Sequence, residues 1–230
     1  MGRPKLIDLY CNAGGAAMGY HRAGWDVVGV DIHPQPRYPF AFIQADVTTL
    51  DARFLRWFDG AHASPPCQGY SAMRHAPGAK GAPLLIDRTR DMLEQAGIPW
   101  VLENVEAAGW AMPGAVCLCG TMFGLGAHGC ELHRHRLFQS SFPIVPPSPC
   151  QHTGGPVIGV YGGHARVRSA KHGGRGTRDV WPHGHKEAAQ TAMGIDWATL
   201  AEMSEAIPPA YTQHIGKQML AFASTERLAA

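Results

Sequence analysis

The sequence predicts an α/β fold, a doubly wound and mostly parallel sheet with a small second lobe, on three observations. Short apolar runs alternate with helix-compatible stretches through the first half of the chain, several of those runs end in an acid or a Gly/Pro turn, and the alternation stops at a proline cluster just after Phe142. With 45% hydrophobic and 17% charged residues among 230, the chain can bury one sizeable core, which excludes disorder, a collagen-like chain and a pure coiled coil.

Each element follows in order. Leu6 to Tyr10 is an apolar run that stops at Asn12-Ala13-Gly14-Gly15, and Ala16 to Ala23 continues as a helix closed by Gly24. Asp26 to Val30 is expected as a second buried strand ending in Asp31, and Phe42 to Ala45 as a third ending in Asp46. Thr48 is placed to cap a helix carrying Leu50, Phe54, Leu55 and Phe58, and Gly60 to Ala63 reads as a strand running into Ser64-Pro65-Pro66-Cys67. Leu85, Thr89, Met92 and Ala96 fall at helical spacing, and Trp100 to Leu102 makes a strand ending in Glu103-Asn104. Ligands of such sheets bind beyond the carboxyl ends of the strands, so Asp31, Asp46, Cys67 and Glu103 are expected to share one edge. Pro143, Pro146, Pro147 and Pro149 break the pattern. This gives a main domain over 1–142, a small basic region over 143–196, and returning helices over 197–230, at Trp197 to Glu205 and after Pro208-Pro209, where Ile215, Met219, Leu220 and Phe222 make an apolar stripe.

No apolar run approaches the ~20 residues of a membrane helix, and Met1-Gly2-Arg3-Pro4-Lys5 leads into a strand rather than a secretory signal, so no membrane association and a cytoplasmic location are expected. Six irregularly spaced cysteines then read as reduced thiols. The net charge of +2 is uneven: Tyr161 to Gln190 holds six Lys/Arg against Asp179 and Glu187, which suits a polyphosphate partner or a solvated surface loop.

Gly14 and Gly15 permit close backbone approach at the start of a helix, and an acid sixteen residues beyond Gly15, Asp31, stands near the position of a ribose-binding carboxylate. With Asp46 at the next strand end, these point to an adenosine-containing cofactor, whereas either acid alone reads as a helix cap. In Pro65-Pro66-Cys67-Gln68-Gly69, two prolines stiffen the approach to a cysteine and a glycine frees the chain after it, which presents a thiol to a cleft; Cys11 reads instead as a small buried apolar group. Glu103 and Asn104 at the next strand end, with Arg134 and Arg136 alternating on an extended stretch, supply acid and basic partners.

These blocks, in this order, resemble the cytosine-C5 methyltransferases: Asp8 to Gly15, Pro65 to Ser71, Glu103-Asn104-Val105, Arg134-His135-Arg136-Leu137-Phe138, and a closing block from Ile207 to Gly216. The short lobe and Cys119 to Gly124 are similar to compact forms carried by bacteriophages. The resemblance implies a Rossmann-like AdoMet-dependent methyltransferase fold with a small target-recognition lobe, S-adenosylmethionine as cofactor and DNA as partner; the residues do not fix the oligomeric state, and a monomer is expected. The resemblance assigns Cys67 as the nucleophile that adds to cytosine C6, Glu103 to N3, Arg136 to O2, Arg134 to organising the site or holding a phosphate, and Asn104 to positioning the nucleophile loop. It places Tyr10, Gly14, Gly15, Asp31, Ile32, Asp46, Val47 and Pro66 around the cofactor, Ile32 and Val47 packing on adenine or serving as ordinary core. Nucleic acid falls to Gln68, Ser71, Arg166, Arg168, Lys171, Arg175 and Arg178, with a short target site and strong salt dependence expected.

Asn12 stands where the family carries glycine, Leu132 where glutamine is common, and Ser204-Glu205 where Gly-Asn is frequent. Cys117, Cys119, Cys130, Cys150 and His152 have no familiar finger spacing, and no metal is expected there. Two other readings stay open: an RNA cytosine-C5 methyltransferase acting on tRNA, and a catalytically silent DNA-binding or regulatory relative.

Overall fold

The computed structural model describes residues 2–70, 82–168, 176–178 and 184–229. The alternating first half becomes β1 (Lys5–Leu9), α1 (Gly15–Ala23), β2 (Asp26–Asp31), β3 (Ala41–Gln44), α2 (Ala52–Leu55), β4 (Gly60–Ala63), α3 (Ile86–Ala96) and β5 (Trp100–Val105). Then follow β6 (Val116–Leu118), β7 (Gly126–Ala127), β8 (Cys130–Leu132), β9 (Arg136–Ser140), β10 (Val157–Tyr161), β11 (His164–Arg168), β12 (Gly176–Arg178), α4 (His185–Met193), α5 (Leu200–Glu205) and α6 (Pro209–Ala229).

β3-β2-β1-β4-β5 pair in parallel, and the strand order turns back between β1 and β4, where such sheets open a crevice beyond their carboxyl ends. β9 then runs antiparallel to β5 and β6 antiparallel to β9. The sheet is therefore mostly parallel and doubly wound, as the alternation predicts.

Period-two alternation explains both of its cores. Leu6 and Val27 face α1 and α6, packing with Tyr20, Trp25, Tyr211, Ile215 and Met219. Ile7, Leu9, Val30, Ala61 and Ala63 face the other way, onto Ile86 and Leu93 of α3. Being covered on both faces is why β1 reads as a continuous apolar run.

The second sheet, β12-β11-β10-β8-β7, is antiparallel apart from the β10–β8 pair. It takes β7 and β8 from before the proline stretch and the rest from after it, so the region expected over 143–196 shares its sheet with residues 126–132. Its core sets Leu132, Ile158, Val160 and Ala165 against Ala188, Ala189, Ala192 and Met193 of α4.

Three local features differ from the sequence expectations. Thr48 lies in a short 3-10 turn whose cap is Asp46, and the following helix is capped by Asp51, which accepts from Phe54 N; the Thr48 hydroxyl is itself spent as a donor to Asp46. Glu103 and Asn104 sit within β5 rather than past its end, because pairing of Val105 with Arg136 extends the strand. Trp197 precedes α5, which starts after the Thr199/Glu202 capping box, and its indole N–H donates to Ala13 O at 2.7 Å. Among the described residues no helix is long and apolar enough to cross a membrane.

Candidate active site

β4 delivers the chain to Ser64-Pro65-Pro66-Cys67 at the carboxyl edge, and a turn follows in which Tyr70 N donates to Cys67 O at 3.0 Å. The loop is held from two sides. Asn104, fully buried on β5, donates from Nδ2 to Pro65 O at 2.9 Å and accepts Val105 N on its Oδ1, while buried Tyr70 accepts Ile86 N at the start of α3. The loop pinned at both shoulders leaves Cys67 half-buried.

Glu103 is buried on the neighbouring strand, 3.1 Å from Arg136 Nε at the start of β9. Burial raises the Glu103 carboxyl, and Arg136, the Ser64 hydroxyl and Arg134 pull it partly back. The Cys67 thiol is raised by burial and then by the Glu103 charge, against the opposing pull of Arg136. Sulfur, acid and guanidinium therefore share one electrostatic neighbourhood, as the sequence expects of Cys67, Glu103 and Arg136.

Arg134 takes a different part. It is completely buried, and its guanidinium donates to three carbonyls, Ala206 O at 3.0 Å, Val160 O at 2.8 Å and Ser204 O at 2.7 Å. Burial and the Arg136 charge pull its pKa down to about 9. Three of its five N–H donors bond the backbone of β10 and the end of α5, and its complete burial leaves no exposed face for a phosphate. Of its two expected roles, the organising one fits this environment.

A buried polar chain that the sequence did not suggest supports Glu103. Tyr20 Oη lies 3.0 Å from His62 Nδ1, His62 Nε2 lies 2.9 Å from Ser64 Oγ, and the Ser64 hydroxyl bonds Glu103. Burial drops the His62 pKa to about 3, so the ring is neutral. The network assigns Tyr20 as donor to Nδ1, Nε2–H as donor to Ser64, and Ser64 as donor to the acid.

The glycine turn after β1 uses left-handed backbone at Tyr10 (φ 58°), Asn12 (φ 44°) and Gly14 (φ 82°), so asparagine is tolerated where the cytosine-C5 methyltransferases that the sequence resembles usually carry glycine. Gly15 is required by packing: a Cβ there would lie 2.4 Å from Ile207 O of the closing block. Its close approach is to the chain's own backbone. Asn12 Nδ2 reaches Glu205 Oε2 at 2.9 Å, so two positions that depart from the family pattern bond each other.

Asp31 accepts the amides of Asn12 and His33 at 3.1 and 3.0 Å, and Asp46 Oδ1 accepts Thr48 N and Oγ1 at 2.8 and 2.7 Å. Between them Ile32 is 53% exposed, an apolar side chain facing solvent at the strand end, whereas Val47, at 2%, belongs to the core. Tyr10 Oη meets Thr89 Oγ1 at 3.1 Å, and Pro66 is half-buried. Beneath α1, burial and the Asp31 charge push the carboxyl of Asp8 well up.

Gln68 is exposed beside Cys67, and Arg166 is half-buried on β11. Arg168 and Arg178 fall on β11 and β12. Their side chains, together with Ser71, Lys171 and Arg175, lie outside the described residues.

No protein-family model matches the chain. It is 31% identical over 83 residues to the type II methyltransferase M.AgeI of Thalassovita gelatinovora, a match covering 29% of this chain and 19%, about a fifth, of that relative. Three solved structures align along nearly the whole chain. One is described as a DNA modification methyltransferase encoded within an E. coli prophage, with TM-score 0.59, 14% identity and 96% and 99% of the two chains covered. Another is the Dnmt2 methyltransferase of S. pombe, with TM-score 0.58, 13% identity and 95% and 98% covered. The third is the methyltransferase EhMeth of Entamoeba histolytica, with TM-score 0.58, 10% identity and 96% and 99% covered. At these identities the structural likenesses show the fold, which is that of the methyltransferases. That fold is the one implied by the resemblance that the sequence blocks carry.

Proposed function

We propose that this chain transfers a methyl group from S-adenosylmethionine to C5 of cytosine in DNA through a covalent adduct between Cys67 and C6. The observation that carries the reading is the grouping of Cys67, buried Glu103 and Arg136 at the carboxyl edge of the sheet, next to the glycine turn.

The donor set around that turn fits an adenosine-bearing cofactor. Asp31 suits ribose hydroxyls, exposed Ile32 offers an apolar face to adenine, and Asp46, bonded to Thr48 through Oδ1 alone, leaves Oδ2 for the adenine amino group. S-adenosylmethionine, when bound, supplies a methyl on a positively charged sulfur. Everything else falls to the protein.

Cytosine C5 is a poor nucleophile until C6 is attacked. Cys67 gives up its proton to water and its thiolate forms the S–C6 bond, while Glu103, whose carboxyl burial raises, gives its proton to N3 and so absorbs the charge that develops there. Arg136 holds O2, and Asn104 keeps the sulfur on line by fixing Pro65. C5 then takes the methyl, water takes the C5 proton, the electrons of that C–H bond re-form C5=C6 and expel the sulfur as thiolate, and N3 returns its proton to Glu103. In a duplex C6 is stacked, so the base has to be extruded, at about a few kcal/mol. Gln68, Ser71, Arg166, Arg168, Lys171, Arg175 and Arg178 are the groups we assign to the nucleic acid, mainly its phosphates.

Nucleoside mass spectrometry after incubation of the protein with S-adenosylmethionine and either DNA or tRNA tests this. 5-Methyl-2′-deoxycytidine in the DNA supports the reading. Modified cytidine confined to tRNA, or an N-methylated base, overturns it.

A further inference from the structure

We propose that Cys119, His135, Cys150 and His152 form a tetrahedral zinc site that pins the proline-rich segment to the strand carrying Arg136. This reverses the expectation that these cysteines hold no metal. The set suggested by the sequence was Cys117, Cys119, Cys130, Cys150 and His152. The fold keeps three of those, leaves out Cys117 and Cys130, and adds His135, which is hidden in the sequence between two arginines that draw attention to themselves.

The geometry is that of a coordination sphere. All four ligand atoms lie within 4.8 Å of one another. Cys119 Sγ is 3.5 Å from His152 Nε2, and Cys150 Sγ is 3.5 Å from His135 Nε2 and 3.2 Å from His152 Nε2. Tetrahedral zinc, with Zn–S of about 2.3 Å and Zn–N of about 2.0 Å, separates neighbouring sulfur and nitrogen by about 3.5 Å. An S2N2 set of this shape selects zinc over the hard, oxygen-seeking cations.

The surroundings orient the ligands as metal sites require. Thr121 Oγ1 donates to Cys119 Sγ at 3.2 Å. The His152 ring stacks on His133 with centroids 3.6 Å apart and planes at 14°, and His133 is held by Glu131 at 2.8 Å, an acid that also accepts Thr153 N. Cys150 and His152, two apart on a segment without helix or strand, bring their ligand atoms together. Both are exposed, which gives the ion a route in, while Cys119 closes the inner side.

The consequence reaches the site described above. His135 and Arg136 are consecutive, and Arg136 also donates to His135 O at 2.9 Å, so a metal on the imidazole fixes the entry of β9 from which Arg136 reaches Glu103. It also clamps the chain between β9 and β10 to the turn before Gly120, joining the elements that bridge the two sheets.

Elemental analysis of untagged protein tests this, with about one zinc per chain expected. Cys150→Ser and His152→Ala should lose the zinc, and Cys117→Ser and Cys130→Ser should keep it. Because a ligand variant can fail to fold, a second measurement uses the intact chain: Co2+ added after zinc removal should give the visible bands of tetrahedral cobalt with a thiolate charge-transfer band. Zinc-free protein that takes up neither Zn2+ nor Co2+, zinc retained in full by both Cys150→Ser and His152→Ala, or a Cys119–Cys150 disulfide in freshly purified protein would overturn the proposal. None of these readouts depends on methyl transfer.

Discussion

Cys67 and the Cys119/Cys150 pair occupy opposite kinds of surroundings, though Arg136 and His135, neighbours in the chain, serve one each. Cys67 stands without another thiol beside it, next to a buried acid and a guanidinium, and its pKa is raised by burial and by the Glu103 charge. The pair faces two imidazoles with no carboxylate in the ligand ring. As we propose, the first arrangement serves one sulfur that bonds transiently to carbon, and the second holds two sulfurs permanently on a cation. A cysteine's role is thus set by the groups that distant segments bring to it.

The largest effect that can break this comparison is at Glu103. Glu103→Gln should lower turnover by about 10²–10⁴-fold, since general acid catalysis is worth that much. At a pH where Glu103 is ionised its charge raises Cys67, and the same change removes that charge, so alkylation of Cys67 by iodoacetamide at that pH, followed by mass mapping, should become faster than in the parent. If alkylation slows along with turnover, the charge coupling between the two residues is wrong.

Next comes the response to a chelator. Zinc removal should make Cys150 alkylate readily and lower the melting temperature, while the rate at Cys67 stays near its starting value. Equal acceleration at both sulfurs would mean that they do not belong to separate environments.

The burden of buried charge near the cofactor turn extends to Asp8. Its folded pKa is raised, so its contribution to stability is most favourable at low pH and is lost as pH rises through the unfolded carboxylate value toward the folded one. Asp8→Asn removes that loss. Thermal unfolding should show the variant gaining on the parent as pH rises above about 4, each tenfold difference in proton affinity being worth about 1.4 kcal/mol. A constant difference across that range would show that Asp8 does not titrate abnormally.

The smallest effect is at Ser64. In the proposed mechanism Glu103 works protonated, so activity falls as pH rises through its pKa. Ser64→Ala removes a donor to the carboxylate, raises that pKa, and should carry the alkaline limb of kcat/KM upward. A limb that moves downward would remove Ser64 and His62 from the supporting chain.

Much of the first half was legible because β1, β2 and β4 are buried on both faces, and each ends at a turn or an acid. The second sheet was not: β7 and β8 span two and three residues, too short for any periodicity to register. α4 escaped because its buried face is made largely of alanine, Ala188, Ala189 and Ala192, amid basic and glycine-rich sequence. Cys67, Glu103 and Arg136 could be read from ordered blocks. The ligand cluster comes from three segments without a repeating spacing, and His62 looked like an ordinary residue of a short strand. The Asn12–Glu205 bond spans 193 positions, so two departures from a family pattern gave no sign of being one feature.

Covalent trapping on DNA containing 5-fluorocytosine tests the central claim most directly, because fluorine at C5 blocks the last proton loss and leaves sulfur bonded to C6. With S-adenosylmethionine present, the account predicts a denaturation-resistant complex whose modified peptide contains Cys67 and which Cys67→Ala abolishes. An adduct through another residue, or none with folded, cofactor-saturated protein and DNA, would contradict it.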